Sequence, residues 1–124
     1  MLAQLGVEKI YLGAHLFGGS TRRGALVDYD TDSVHADVME GKNQEGFQVT
    51  ALHHELFHLM DRRDDGETRK DPVWEALNTP GYKYGARNEK SAFDGFASIY
   101  AMGSVAEDKA ELYAALIVRP KWVA

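Results

Sequence analysis

The sequence contains no cysteine, which removes the disulfide framework, the thiolate metal site and the thiol nucleophile from consideration. Any metal ion must therefore be held by histidine and carboxylate side chains. Basic residues are also in the minority, because 14 Lys and Arg face 19 Asp and Glu, for a formal charge of -5. This balance predicts no nucleic-acid partner and no anionic membrane partner, since both need clustered cations.

Long apolar runs are missing as well. No segment approaches the roughly 18 consecutive apolar residues of a membrane span, and the first residues lack the basic and apolar regions of a signal peptide. The sequence has no internal repeat and no low-complexity tract. With 124 residues, of which 44% are hydrophobic, the chain is predicted to form one domain over residues 1–124.

The front half of the chain has the pattern of strands. Residues 7–12 are rich in β-branched and aromatic side chains, and two alternating segments, 25–30 and 33–39, flank a turn-forming stretch. The two alternating segments predict an antiparallel hairpin. In the second of them the apolar residues are expected to face the core, namely Val34, Ala36 and Val38. His35 and Asp37 are then expected on the other face.

The back half has the pattern of helices. Between residues 49 and 62 apolar side chains recur at spacings of three and four, which is the period of an amphipathic helix. A last helix is predicted over 104–118, with Ser104 and Glu107 as a capping box. The segment 71–85 between them is predicted to be irregular. Strands followed by helices predict an α+β fold with a small antiparallel sheet.

The first predicted helix carries the pattern H-E-x-x-H from His54 to His58. Residues four apart lie on one face of a helix, so both imidazoles can approach one metal ion at about 2.0–2.1 Å. Glu55 lies about 100° round the helix from His54, where it can reach a water without being a ligand. Neighbouring His53 is expected to lie beside the site or at the surface rather than in it. The cofactor expected here is Zn²⁺.

A catalytic zinc site normally uses three protein ligands, so a third must come from elsewhere in the chain. One candidate is Glu107, with Glu111 one helical turn later to accept a hydrogen bond from a ligating histidine. The other is Asp64, six residues after His58, at the spacing used in metzincin peptidases. Against Asp64, the position where metzincins use glycine to break the helix is occupied by Asp61.

Two motifs together resemble a known family. His54-Glu-Leu-Phe-His58-Leu-Met-Asp61 is followed by Tyr100, seven residues before Glu107-Asp-Lys-Ala-Glu111. This pairing looks like the gluzincin metallopeptidases related to the catalytic domain of anthrax lethal factor, which combine H-E-x-x-H-x-x-D with a later Y-x6-E-x-x-A-E. The chain departs from that pattern at Lys109, where the family tends to have an aromatic residue.

The resemblance implies a zincin-like domain with an active-site helix, a C-terminal helix and a peptide or protein substrate. It implies that His54, His58 and Glu107 bind zinc, with Asp61 and Glu111 as their supporting residues. Glu55 would then be the general base, and Tyr100 would donate a hydrogen bond to the oxyanion.

An extended substrate is expected to add to an exposed sheet edge, along 25–30 or 33–39. The resemblance also suggests an exported protein. The alternative to an endopeptidase is a non-catalytic zinc-binding module, in which zinc only stabilises the fold.

Overall fold

The computed structural model of the protein describes residues 6–39, 46–66, 70–85, 92–93 and 95–121. Five strands come first: β1 (Lys9–Gly13), β2 (Phe17–Gly18), β3 (Thr21–Arg22), β4 (Ala25–Asp28) and β5 (Ser33–Asp37). Three α-helices follow: α1 (Phe47–Asp65), α2 (Pro72–Glu75) and α3 (Val105–Val118), with a 3₁₀ turn at Ala101–Gly103. Small sheets with helices confirm the α+β class. None of the described helices combines the length and apolarity that crossing a membrane requires.

The main sheet has three strands in the order β1-β5-β4, and β2 pairs with β3 in a separate hairpin. β4 and β5 are antiparallel, with Val27 opposite Val34, which confirms the predicted hairpin. The prediction of a wholly antiparallel sheet is wrong, because β1 pairs with β5 in parallel. No turn joins β1 to β5, so local sequence does not determine the direction of their pairing.

The predicted assignment of side chains to the core face and the other face of β5 is wrong at the C-terminal end of the strand. Val34 is buried as expected, but Val38 is 46% exposed and Asp37 is only 1% exposed. Asp37 is buried because its carboxylate accepts backbone hydrogen bonds, from Leu16 at 2.9 Å and from Met39 at 2.8 Å. The strand ends at Asp37, and the next residue turns away from the core.

Helix α1 lies against the sheet on one side and against α3 on the other. It begins two residues before the predicted helix and ends three residues after it. Leu59 on α1 packs with Val7 and Val34 to form a buried cluster. Gly24, just before β4, permits a close approach to the helix, because a Cβ there would lie 2.8 Å from the Phe47 ring. The edge strand β4 is therefore held beside α1.

Helix α3 begins where the sequence predicts it. The Ser104 hydroxyl accepts a hydrogen bond from the Glu107 backbone N–H at 3.3 Å, as an N-cap should. Small side chains lie buried along α3, among them Ala110 and Ala114, so the helix can pack closely. The Glu107 carboxylate does not complete the capping box, because it contacts the histidines of α1 instead.

Candidate metal centre

Two histidines of α1 point from the helix into the interior. His54 and His58 are both buried, and their Nε2 atoms lie 3.0 Å apart. The four-residue spacing brings the rings together on one face of the helix, with their planes nearly perpendicular at 82°. Two nitrogen atoms that can each donate a lone pair to a metal ion therefore lie side by side.

Glu107 on the first turn of α3 supplies a third donor at the same place. Its Oε2 lies 2.9 Å from His54 Nε2 and 3.4 Å from His58 Nε2. In a tetrahedral site with bonds of about 2.0–2.1 Å, ligand atoms stand about 3.3 Å apart. The three atoms therefore form a triangle of the size that a metal ion needs. This buried group, His54, His58 and Glu107, could bind a metal ion.

The electrostatics of the cluster favour a cation. Burial on its own would raise the pKa of Glu107, but hydrogen bonds with His54 and His58 outweigh it and hold the pKa far below its ordinary range. Burial would lower the pKa of His54, but hydrogen bonds with Glu107 and Glu111 raise it to about 9. A metal ion must therefore displace a proton from His54 to bind here.

The two residues expected to support the ligands have different surroundings. Glu111 Oε1 lies 2.8 Å from His54 Nδ1, so it is placed to orient that ring. Asp61 forms a hydrogen bond with neither histidine: its Oδ1 accepts one from Lys109, and its Oδ2 has no hydrogen-bond partner among the described residues. The Nδ1 atom of His58 is buried and has no partner among the described residues.

Glu55 and Tyr100 both face the cavity beside the cluster. This cavity, of about 560 Å³, is lined by β4 on one side and by His54, His58 and Glu107 on the other. Burial raises the pKa of Glu55 above its ordinary value, although His54 and His58 lower it in part. A carboxylate in such surroundings is a stronger base than one in water.

Tyr100 lies at the rim of the same cavity and is partly exposed. Its hydroxyl donates a hydrogen bond to Glu107 Oε1 at 3.1 Å, and its ring stands 5.7 Å from that of His54. The hydroxyl therefore lies next to the Glu107 carboxylate, whose other oxygen, Oε2, is one of the three donor atoms. A polar O–H held there can stabilise negative charge that develops nearby.

The other candidate third ligand lies elsewhere. Asp64 is exposed on α1, which continues as a helix through Asp65. Because the helix does not break after His58, the chain cannot return Asp64 to the histidines. His53 is half-buried, with its ring 6.3 Å from that of Tyr113, and lies outside the cluster.

Sequence reasoning missed a buried ionic network that also lies between α1 and α3. Lys109 Nζ lies 3.2 Å from Asp61 Oδ1 and 2.6 Å from Asp71 Oδ2. Next to it, Asp108 accepts hydrogen bonds from the Trp74 indole at 2.8 Å and the Tyr84 hydroxyl at 2.7 Å. This network fastens the irregular segment 71–85 to α1 and α3. The available signal was Lys109, the one basic residue of the last helix, next to Asp108.

Comparison of the chain with protein-family models, with curated proteins and with solved structures finds no match in any of the three.

Proposed function

We propose that the chain is a zinc-dependent endopeptidase with a zincin-like fold, related to the gluzincins. The observation that carries the proposal is the convergence of two histidine nitrogens and one carboxylate oxygen, 2.9–3.4 Å apart, at the wall of an open cavity. Two His and one Glu are a donor set of catalytic zinc, which keeps a fourth position for water or substrate. We propose His54, His58 and Glu107 as the zinc ligands.

The residues around the cluster have the chemistry of peptide hydrolysis. Zinc in this site would supply an acidified water and polarise a peptide carbonyl. Glu55 takes the proton of the attacking water and returns it to the leaving amine, and its raised pKa suits that exchange. The Tyr100 hydroxyl donates a hydrogen bond to the oxyanion that develops on the substrate carbonyl. The five side chains thus divide metal binding, proton transfer and charge stabilisation among them.

The substrate is expected to run along β4. Among the described strands, β4 pairs only with β5, and its residues Ala25, Leu26 and Val27 line the cavity that holds Glu55. An extended peptide can add to such a free edge through main-chain hydrogen bonds. The other edge considered from the sequence, 33–39, is not available over β5, because β5 lies between β1 and β4.

Glu55→Gln tests the proposal because it removes the base while preserving size. We expect the variant to keep the zinc content of the wild type and to cleave a mixed peptide library about 10²–10⁴-fold more slowly. Zinc is measured by inductively coupled plasma mass spectrometry, and cleavage by mass spectrometry of the products. Glu75→Gln, at an exposed position on α2, is the matched control and should behave as the wild type.

Two outcomes would contradict the peptidase. Undiminished cleavage by Glu55→Gln would remove Glu55 from the mechanism. Zinc-loaded wild type that cleaves no peptide in the library would favour the competing class, a non-catalytic zinc-binding module. The cavity beside the cluster argues against that class, because a purely structural zinc site is closed by four protein ligands.

A further inference from the structure

Arg23 stands where two cavities meet beside the metal centre. The cavity of about 560 Å³ continues into a second one of about 450 Å³ that extends towards Phe47 and Glu111. Both cavities are lined by His54, Glu55 and Tyr100, and both are lined by Arg23. A peptide that lies along β4 past the metal centre therefore passes this guanidinium.

Arg23 is exposed, but its backbone and the stem of its side chain are held by their surroundings. Its backbone N–H donates a hydrogen bond to the Leu16 carbonyl oxygen at 2.9 Å, which holds the residue immediately ahead of β4. Its stem packs over Gly18, since a Cβ there would lie 3.3 Å from Cγ and Nε of Arg23. A side chain that is already oriented loses less entropy when it binds a partner.

The charge of Arg23 is not neutralised within the described part of the chain. Neighbouring Arg22 pairs with buried Asp37 at 3.7 Å, whereas no described carboxylate forms an ion pair with Arg23. Arg62, which lines a separate cavity, stacks on the Tyr29 ring at 4.5 Å. Arg23 is thus a cation that the fold orients into the cleft without giving it an anion.

The carboxylates of the cleft have other partners. Glu107 and Glu111 contact His54. Glu55 accepts a hydrogen bond from the Val27 backbone. A guanidinium binds a carboxylate through two parallel hydrogen bonds, which makes a carboxylate its preferred partner. Within the described residues no carboxylate of the cleft is left for Arg23, so a ligand can supply the matching group.

We propose that Arg23 binds a carboxylate of the substrate and gives the enzyme a preference for peptides that carry one close to the scissile bond. This inference rests on the proposed peptidase function and adds a substrate class to it. The carboxylate can belong to an Asp or Glu side chain or to the C-terminus of the peptide. Hydrogen bonds to a charged group contribute about 1.5–3 kcal/mol, which corresponds to a preference of about 10–150-fold.

The experiment compares peptides that differ in charge at one position. Starting from a cleaved peptide, Glu, Ala or Lys is placed at each position around the scissile bond, and a parallel set carries an amidated C-terminus. We expect the wild type to give the highest kcat/KM with Glu at one position, or with a free C-terminus. Arg23→Glu should reverse this order in favour of Lys, while Lys9→Glu, a charge reversal on the other edge strand, should leave it unchanged.

A binding measurement separates this inference from the peptidase itself. Zinc-loaded Glu55→Gln protein, with and without Arg23→Glu, is titrated against fluorescein-labelled Glu and Lys peptides, and binding is followed by anisotropy. We expect Arg23→Glu to weaken binding of the Glu peptide and strengthen that of the Lys peptide. Equal binding with and without Arg23→Glu overturns the role of Arg23. If binding depends on the charge of the peptide but the wild type cleaves no peptide, the proposed peptidase activity is overturned and the role of Arg23 is not.

Discussion

Lys109→Met should strongly destabilise the metal-free protein. Lys109 and Asp61 are 8% and 7% exposed, and their side chains meet at 3.2 Å between α1 and α3. The substitution leaves the stem of the side chain in place and removes its charge. Asp61 then keeps a buried carboxylate. Its Oδ2 already has no hydrogen-bond partner in the described part of the chain, and its Oδ1 loses the ammonium.

The expected loss is large compared with the stability of a domain this size. Removing one partner of a buried ion pair costs about 3–5 kcal/mol, because the other charge stays desolvated. A chain of 124 residues has a free energy of unfolding of about 6–19 kcal/mol, at about 0.05–0.15 kcal/mol per residue. With a urea m-value of about 2 kcal/mol per molar, the unfolding midpoint should fall by about 2 M.

Equilibrium unfolding in urea, with a chelator present, measures the effect by tryptophan fluorescence and circular dichroism. Lys83→Met, at an exposed position of the same 71–85 segment, is the control and should shift the midpoint little. The double variant Asp61→Asn with Lys109→Met should recover part of the loss, since Asp61 is then no longer a buried charge without its partner. If Lys109→Met unfolds at the same urea concentration as Lys83→Met, the ionic network does not stabilise the fold.

Three further substitutions probe the candidate metal centre. Glu107→Ala should lower zinc affinity by at least about 100-fold in a competition titration with a chromophoric chelator, since losing even an outer partner of a ligand costs about 10–100-fold. Asp64→Ala should leave that affinity unchanged, and the reverse pattern would favour the metzincin-type site. Tyr100→Phe should keep its zinc but lower kcat by about 10²–10³, which peptide cleavage assays measure. A Tyr100→Phe variant as active as the wild type would exclude the hydroxyl from oxyanion stabilisation.

The elements that sequence predicts well are those set by neighbouring residues. The β4–β5 hairpin follows from alternation on both sides of a turn-forming stretch. The pairing of His54 with His58 follows from the helical period alone. The N-cap of α3 at Ser104 is likewise local. In each case the residues that determine the structure lie within a few positions of one another.

The features that sequence did not predict depend on partners distant in the chain. Asp37 is buried because the Leu16 backbone, 21 residues earlier, donates a hydrogen bond to it. Lys109 is buried because Asp61, 48 residues earlier, meets it across two helices. A lysine within a helix signals a possible ion pair, but the sequence does not identify a partner so far away in the chain. The parallel pairing of β1 with β5 is non-local in the same way.

The three-ligand zinc site is tested most directly by anomalous diffraction at the zinc absorption edge from crystals of the zinc-loaded protein. We expect one peak per chain, about 2.0–2.1 Å from Nε2 of His54, from Nε2 of His58 and from a carboxylate oxygen of Glu107. The fourth side of the ion should face the cavity that Glu55 and Tyr100 line. A peak elsewhere in the chain, or one with all four positions filled by protein side chains, would contradict the proposed peptidase.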